Sequence, residues 1–149
     1  MKRKALFPGT FDPYTIAHDA IVQRALSFTD EIIIGIGVNS EKKTHFSLES
    51  RIDFIKKLYE KEKRISVATY DMLTIDFAIK SCVNFILRGV RDYKDFEYEK
   101  SMAYFNLKIS GIETVLLVSQ PEFAHVSSSL VRELIAHKQY FEYFIPQLI

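Results

Sequence analysis

The chain predicts an α/β fold built on a doubly wound, five-stranded parallel sheet, and three observations predict it. Short apolar runs alternate with longer helical patterns along the whole chain, as in a sheet wrapped by helices. The clearest run, Glu31 to Val38, is apolar almost without a break, as expected of a strand covered on both faces. The segments after these runs carry the glycines, serines and cationic side chains, whereas the runs themselves are apolar. Chemistry therefore collects at the carboxyl ends of the strands, where open parallel sheets bind ligands.

Taken in order, Lys4 to Phe7 is a short strand stopped by Pro8-Gly9. Ala17 to Phe28 reads as a helix, with Ile21, Val22, Ala25 and Leu26 on one face and Thr15 as its N-cap. Glu31 to Val38 is the second strand. Ser47 caps a helix over Leu48 to Glu60, whose apolar side holds Leu48, Ile52, Ile55 and Tyr59. Arg64 to Thr69 is a strand, Thr74 to Ser81 a short helix and Val83 to Leu87 a buried strand. Asp92 to Ile109 is a longer helix, Glu113 to Val118 the fifth strand and Ser129 to His137 a helix, with a last turn near Tyr140 to Ile145. Right-handed crossovers make such a sheet doubly wound.

Composition narrows the function. The 149 residues suit one domain spanning positions 1–149, and 48% hydrophobic with 26% charged residues is the balance of a soluble globular protein. A formal net charge of +1 gives no basic field for nucleic acid or membranes, so any phosphate site rests on a few placed cations. The lone cysteine, Cys82, excludes an internal disulfide and is expected to be a packed structural thiol. The apolar stretch after the N-terminal lysines is too short for a secretory signal, and no run approaches the ~20 residues of a membrane span. A cytoplasmic protein is expected.

Gly9-Thr10-Phe11-Asp12-Pro13 joins the first strand to the first helix. Glycine allows close backbone approach to a ligand, and the helix N-terminus behind it suits an anion. His18 falls in the first helical turn, near the same anion. By itself this is also what an ordinary strand–helix turn with a solvent-facing histidine looks like. Lys42-Lys43 follow the second strand, and Arg88-Gly89-Val90-Arg91 are expected to follow the fourth, with two guanidinium forks that match phosphate oxygens. Ser127-Ser128-Ser129 precede an apolar helical pattern, where they can cap the helix and also face a triphosphate. His125, close to these serines, reads as a surface histidine.

The set contains charge stabilisers and almost no nucleophile or base. No Walker, GxGxxG, GxSxG or HExxH pattern occurs. Phosphoryl and nucleotidyl transfer can run on such a set. An acceptor phosphate is already anionic, so the protein has to align it and stabilise charge at phosphorus and on the leaving group.

Pro8-Gly9-Thr10-Phe11-Asp12-Pro13 with Thr15-Ile16-Ala17-His18 resembles the opening signature of the nucleotidyltransferase superfamily with a (T/H)xGH motif. Arg88-Gly89-Val90-Arg91 with Asp95-Phe96-Glu97-Tyr98-Glu99, and Val126 to Glu133, resemble bacterial phosphopantetheine adenylyltransferases more narrowly. The resemblance runs from Lys4 to about Pro146 and implies a Rossmann-like nucleotidyltransferase fold. It implies AMP transfer from ATP to 4'-phosphopantetheine, giving dephospho-coenzyme A and pyrophosphate. It implies that Thr10 and Lys42 hold the acceptor phosphate, that His18, Lys42 and Arg91 act in catalysis, and that Arg88 binds the acceptor phosphate. ATP is then surrounded by Thr10, Phe11, His18, Gly89, Val90, Arg91, Glu99, Phe123, Ala124, His125, Val126, Ser127, Ser128 and Ser129. Thr74 contacts the pantetheine arm, with Asn106 and Glu133 as further candidates. Mg²⁺ enters with ATP, held by phosphates and water without a protein cage. A homohexamer and feedback by coenzyme A are implied as well.

Two features depart from that pattern: Ala17 stands where the motif has glycine, and the chain ends at Ile149, soon after Pro146. The first is expected to need a small backbone adjustment, and the second to bear on subunit packing. The aromatic and apolar residues of Asp92 to Ile109 lie on more than one face, which suits a helix buried centrally or one that meets another subunit. Two other readings stay open, a related nucleotidyltransferase with another acceptor and a nucleotide-binding module without catalysis.

Overall fold

Strand β1 (Lys4–Gly9) lies at the centre of a five-stranded parallel sheet, in a computed structural model that describes residues 1–149. The remaining elements follow in chain order as α1 (Ile16–Ala25), β2 (Glu31–Gly37), α2 (Leu48–Leu58), β3 (Ile65–Tyr70), α3 (Thr74–Lys80), β4 (Phe85–Val90), α4 (Tyr93–Ser110), β5 (Glu113–Val118) and α5 (Ser128–Ala136). Single 3₁₀ turns cover Pro121–Phe123 and Glu142–Phe144. The strand order is β3-β2-β1-β4-β5. The chain builds outward from β1 to β3, then crosses back to lay β4 on the other side, so β1 and β4 flank the switch point.

Side-chain alternation in β1 explains why the strands are apolar on both faces. Ala5 and Phe7 join Ile32, Ile34, Ile36 and Leu87 in a core against α1 and α2, where Ile21, Val22, Ala25, Ile55 and Tyr59 are buried. Leu6 points the other way, into a second core with Ile33, Ile86 and residues Ile75 and Ala78 of α3. Four helices begin at side-chain caps: Thr15, Ser47, Asp92 and Ser127 each accept a backbone N–H of the helix that follows. Gly111 closes α4 at φ 73°, a left-handed conformation that glycine adopts without penalty. No helix is long and apolar enough to cross a membrane.

Two expectations are corrected. Arg88, Gly89 and Val90 do not follow the fourth strand but belong to it, because β4 stays paired with β5 as far as Val90–Val118. Cys82 is exposed and not packed, since it sits at φ 52° in the turn after α3, ahead of the strand. Of the two readings left open for the Asp92 to Ile109 helix, burial at the centre of the chain's own fold is excluded. In α4 only Glu99 and Asn106 are buried, while Tyr93, Tyr98, Tyr104, Phe105 and Ile109 are exposed.

Candidate active site

The ladder between β1 and β4 pairs Ala5 with Phe85 and Leu6 with Ile86, then stops. On their outer sides both strands stay paired, β1 with β2 through Gly9–Ile36 and β4 with β5 through Val90–Val118. Pro8 has no N–H to extend the inner ladder. Its carbonyl instead accepts from Arg88 Nη1 at 2.6 Å, so a guanidinium stands where strand pairing ends. A cleft of about 370 Å³ opens there, lined by the β1–α1 turn, Lys42, the end of β4, the start of α4 and the serine segment.

The turn from Gly9 to Thr15 is held by side chains from several elements. Thr10 O accepts from Arg51 of α2 at 2.7 Å, Asp12 O from Arg132 of α5 at 2.8 Å and Pro13 O from Ser128 at 2.7 Å. The amides of Thr10 and Phe11 donate to no protein acceptor, leaving two N–H groups at the cleft wall. Phe11 adopts φ 53°, a left-handed conformation unusual for an aromatic residue. Its ring folds back over Gly9, where any Cβ would lie 2.8 Å from it, so a side chain at position 9 would have to displace the ring.

His18 occupies the third position of α1 and completes a capping box with Thr15. The Thr15 backbone N–H donates to His18 Nδ1 at 3.0 Å. With Nδ1 accepting, the neutral ring carries its proton on Nε2. Phe7, Phe11 and Tyr14 surround the imidazole, with centroids 6.2, 5.0 and 5.2 Å away. Burial lowers its pKa, and the charges of Arg88 and then Arg91 lower it further, from 6.5 to about 3. At neutral pH His18 is a neutral donor and not a cation.

The cations are aimed by carboxylates. Arg88 Nε and Nη2 contact Glu99, the latter at 2.6 Å, and Glu99 is buried. Arg91 donates from its backbone N and its Nε to Asp95, at 3.0 and 2.9 Å. Lys42 reaches across from the β2–α2 loop, its Nζ 3.4 Å from Thr10 Oγ1. The three serines bond differently. Ser127 caps α5 through Leu130 N at 3.1 Å, Ser128 ties to Pro13, and Ser129 accepts from Arg132 at 3.1 Å.

Of the residues singled out by sequence, Thr10, Phe11, His18, Lys42, Arg88, Gly89, Arg91, Glu99, Val126 and Ser127 to Ser129 line this one cleft. The others do not. Val90 is buried in the strand. Phe123 and Ala124 lie in and just after the 3₁₀ turn, and the exposed His125 packs its ring against Phe144 at 6.1 Å. Thr74 opens α3 with its hydroxyl 2.9 Å from that of Tyr70, Asn106 is buried under α4, and Glu133 is exposed on α5. Sequence reading assigned no role to Asp12, Arg51, Asp95 or Arg132. Asp12 lies inside the opening motif, but nothing in the string says which backbone groups its carboxylate meets.

The cleft offers backbone N–H groups, hydroxyls, one neutral histidine donor and four cations, Lys42, Arg88, Arg91 and Arg132, a set suited to a polyanion that exchanges one phosphoanhydride partner for another. Asp12, Asp95 and Glu99 are all occupied by protein donors, and no cluster of three His, Cys, Asp or Glu side chains is present. The fold and this site define a nucleotidyltransferase. The cytidylyltransferase-like family model matches residues 6–134. Phosphopantetheine adenylyltransferases of Bacteroides fragilis and Bacteroides thetaiotaomicron are 52% and 54% identical over 145 residues, covering 97% of this chain and 97% and 96% of theirs. That of Flavobacterium johnsoniae is 48% identical over 147 residues, covering 99% and 97%. The chain belongs to the phosphopantetheine adenylyltransferase family. Among solved structures, a bifunctional NMN adenylyltransferase/ADP ribose pyrophosphatase from Francisella tularensis superposes with a TM-score of 0.74 at 14% identity, over 97% of this chain and 45% of that one. A lipopolysaccharide core biosynthesis protein from Thermoplasma volcanium gives 0.59 at 17% identity, over 80% and 98%. These two share the fold.

Proposed function

We propose that the chain transfers the adenylyl group of ATP to 4'-phosphopantetheine, reversibly, giving dephospho-coenzyme A and pyrophosphate in coenzyme A biosynthesis. The observation that carries this reading is the convergence of His18, Lys42, Arg88, Arg91 and the serine segment on one cleft at the switch point. An oxygen of the acceptor phosphate forms a bond to the α-phosphorus as the bond to the bridging oxygen breaks, and pyrophosphate leaves with that electron pair. No base is needed, because the acceptor is already ionised.

Thr10, Lys42 and Arg88 hold the acceptor phosphate in line. Arg88 suits this role because Glu99 and Pro8 O fix its plane. His18 Nε2–H donates to a non-bridging oxygen of the α-phosphate as charge grows there, and Lys42 spans both phosphates. Arg91 and the serine segment receive the β- and γ-phosphates at the N-terminus of α5. The pantetheine arm runs toward Thr74, past Tyr70. Mg²⁺ bound to the ATP phosphates neutralises part of their charge. The occupied carboxylates fit an ion carried by phosphates and water.

The same reading includes a homohexamer whose contacts use the aromatic face of α4, feedback inhibition by coenzyme A, and a cytoplasmic location. The test is direct. The purified chain, given ATP and 4'-phosphopantetheine, should release pyrophosphate and form dephospho-coenzyme A. Activity only with nicotinamide mononucleotide or with CTP would replace the proposal by a related transferase. ATP binding without product would leave a non-catalytic module.

A further inference from the structure

We propose that Asp12 is a positioning residue, the clamp that fixes Lys42 in the cleft, a role that rests on the adenylyl transfer proposed above. Asp12 is only 4% exposed, yet it pairs with no cation. Its two carboxylate oxygens accept backbone N–H groups of the β2–α2 loop, Oδ2 from His45 and Oδ1 from Phe46, both at 2.8 Å. The other carboxylates at the cleft, Asp95 and Glu99, pair with arginines.

The loop clamped in this way is the one that carries Lys42. Between Gly37 at the end of β2 and Leu48 at the start of α2, Val38 N still donates to Tyr70 O of β3 at 2.7 Å, but around Lys42 the bonds are local, from Lys42 N to Asn39 O and from Glu41 N to Asn39 Oδ1, both at 3.0 Å. Lys42 itself is exposed and touches the β1–α1 turn only through Thr10 Oγ1 at 3.4 Å. Asp12 belongs to that same turn. Its carbonyl is in turn held by Arg132, so the clamp is anchored to α5 and does not drift with the loop. Two charge-assisted bonds from a buried carboxylate therefore set the distance between the lysine and the histidine turn. A lysine on a free loop would lose that setting, and small misplacements of a charged group in a reacting centre cost rate steeply.

The test is a double-mutant cycle in steady-state kinetics. Asp12→Asn leaves one acceptor oxygen and turns an amide donor toward a backbone N–H. It should lower kcat by about 100-fold. Combined with Lys42→Ala it should add almost nothing to the loss caused by Lys42→Ala alone. His45→Pro removes one N–H donor from an exposed position, leaves the buried carboxylate in place, and should show the same non-additivity. Should both variants lower kcat by the same factor whether or not Lys42 is present, or should neither slow turnover, the clamp is overturned. Failure of the unmutated chain to form dephospho-coenzyme A would instead bring down the reaction itself.

Discussion

The backbone N–H of Thr15 donates to His18 Nδ1 at 3.0 Å, which decides which ring nitrogen can face a phosphate. The bond belongs to a helix cap, so the start of α1 and the tautomer of His18 are one structural fact. The His18 ring cannot turn without giving up the reciprocal half of the capping box.

Nitrogen NMR of the free protein should show His18 neutral, with Nδ1 unprotonated, at every pH from 8 to 5. The folded pKa is depressed to about 3 and the ordinary value is 6.5, so the unfolded chain binds more protons between these two values. Stability should therefore fall as pH drops through that window, and His18 should contribute no such slope above it. Urea unfolding of the wild type and His18→Gln, compared across the window, should show the steeper loss in the wild type.

Removing the Nε2 donor should act on the transition state more than on binding. His18→Ala is expected to lower kcat by roughly 10²- to 10³-fold, as for loss of one preorganised donor. The KM for ATP should change far less, since the phosphates keep Arg91 and the serine segment. Pre-steady-state pyrophosphate release checks that the chemical step is the one slowed.

Glu99 should matter for stability and for the acceptor together. Glu99→Ala leaves Arg88 in a half-buried site with only Pro8 O to bond, and should cost on the order of 3 kcal/mol, the lower end for breaking a buried pair. Equilibrium urea unfolding gives that number. The KM for 4'-phosphopantetheine should rise in the same variant, because the guanidinium plane is no longer fixed.

Gly9→Ala tests the turn. Its added methyl would sit 2.8 Å from the Phe11 ring, which is 3% exposed and packed against Phe7, Tyr14 and His18, so the ring must shift. A destabilisation of about 1–3 kcal/mol, typical of overpacking, is expected. Thermal unfolding measures it, and a raised KM for ATP should accompany it.

The surface of α4 predicts assembly. Tyr98 and Phe105 are 63% and 48% exposed and lie two helical turns apart on one side. Sedimentation should find the wild-type chain as a hexamer. Replacing both residues by glutamate should yield smaller species, with the thermal midpoint becoming dependent on protein concentration.

Much of the frame was readable in the string, for definite reasons. The Glu31 to Val38 run matches β2 to within one residue at its end, because a strand between two helical layers must be apolar at every position. Thr15, Ser47 and Ser127 announced their helices through side chains that can accept a backbone N–H. The fourth strand came out displaced toward the N-terminus, since Arg88 and Gly89 have the look of loop residues, and only pairing with Leu116 and Leu117 keeps them extended. Cys82 looked like core because its neighbours are apolar, but a turn decides where its side chain points.

By itself, then, the sequence determined the alternation of elements, the two-faced strands and the kinds of group gathered at one sheet edge, all of which follow from local periodicity and side-chain chemistry. Only the tertiary structure decided that the β1–β4 ladder ends early, that Glu99 and Asp95 aim the arginines, that Asp12 grips the Lys42 loop and that α4 lies on the surface. Those are contacts between distant segments, and their partners are chosen by how the layers pack. No window of neighbouring residues encodes a distance across the sheet.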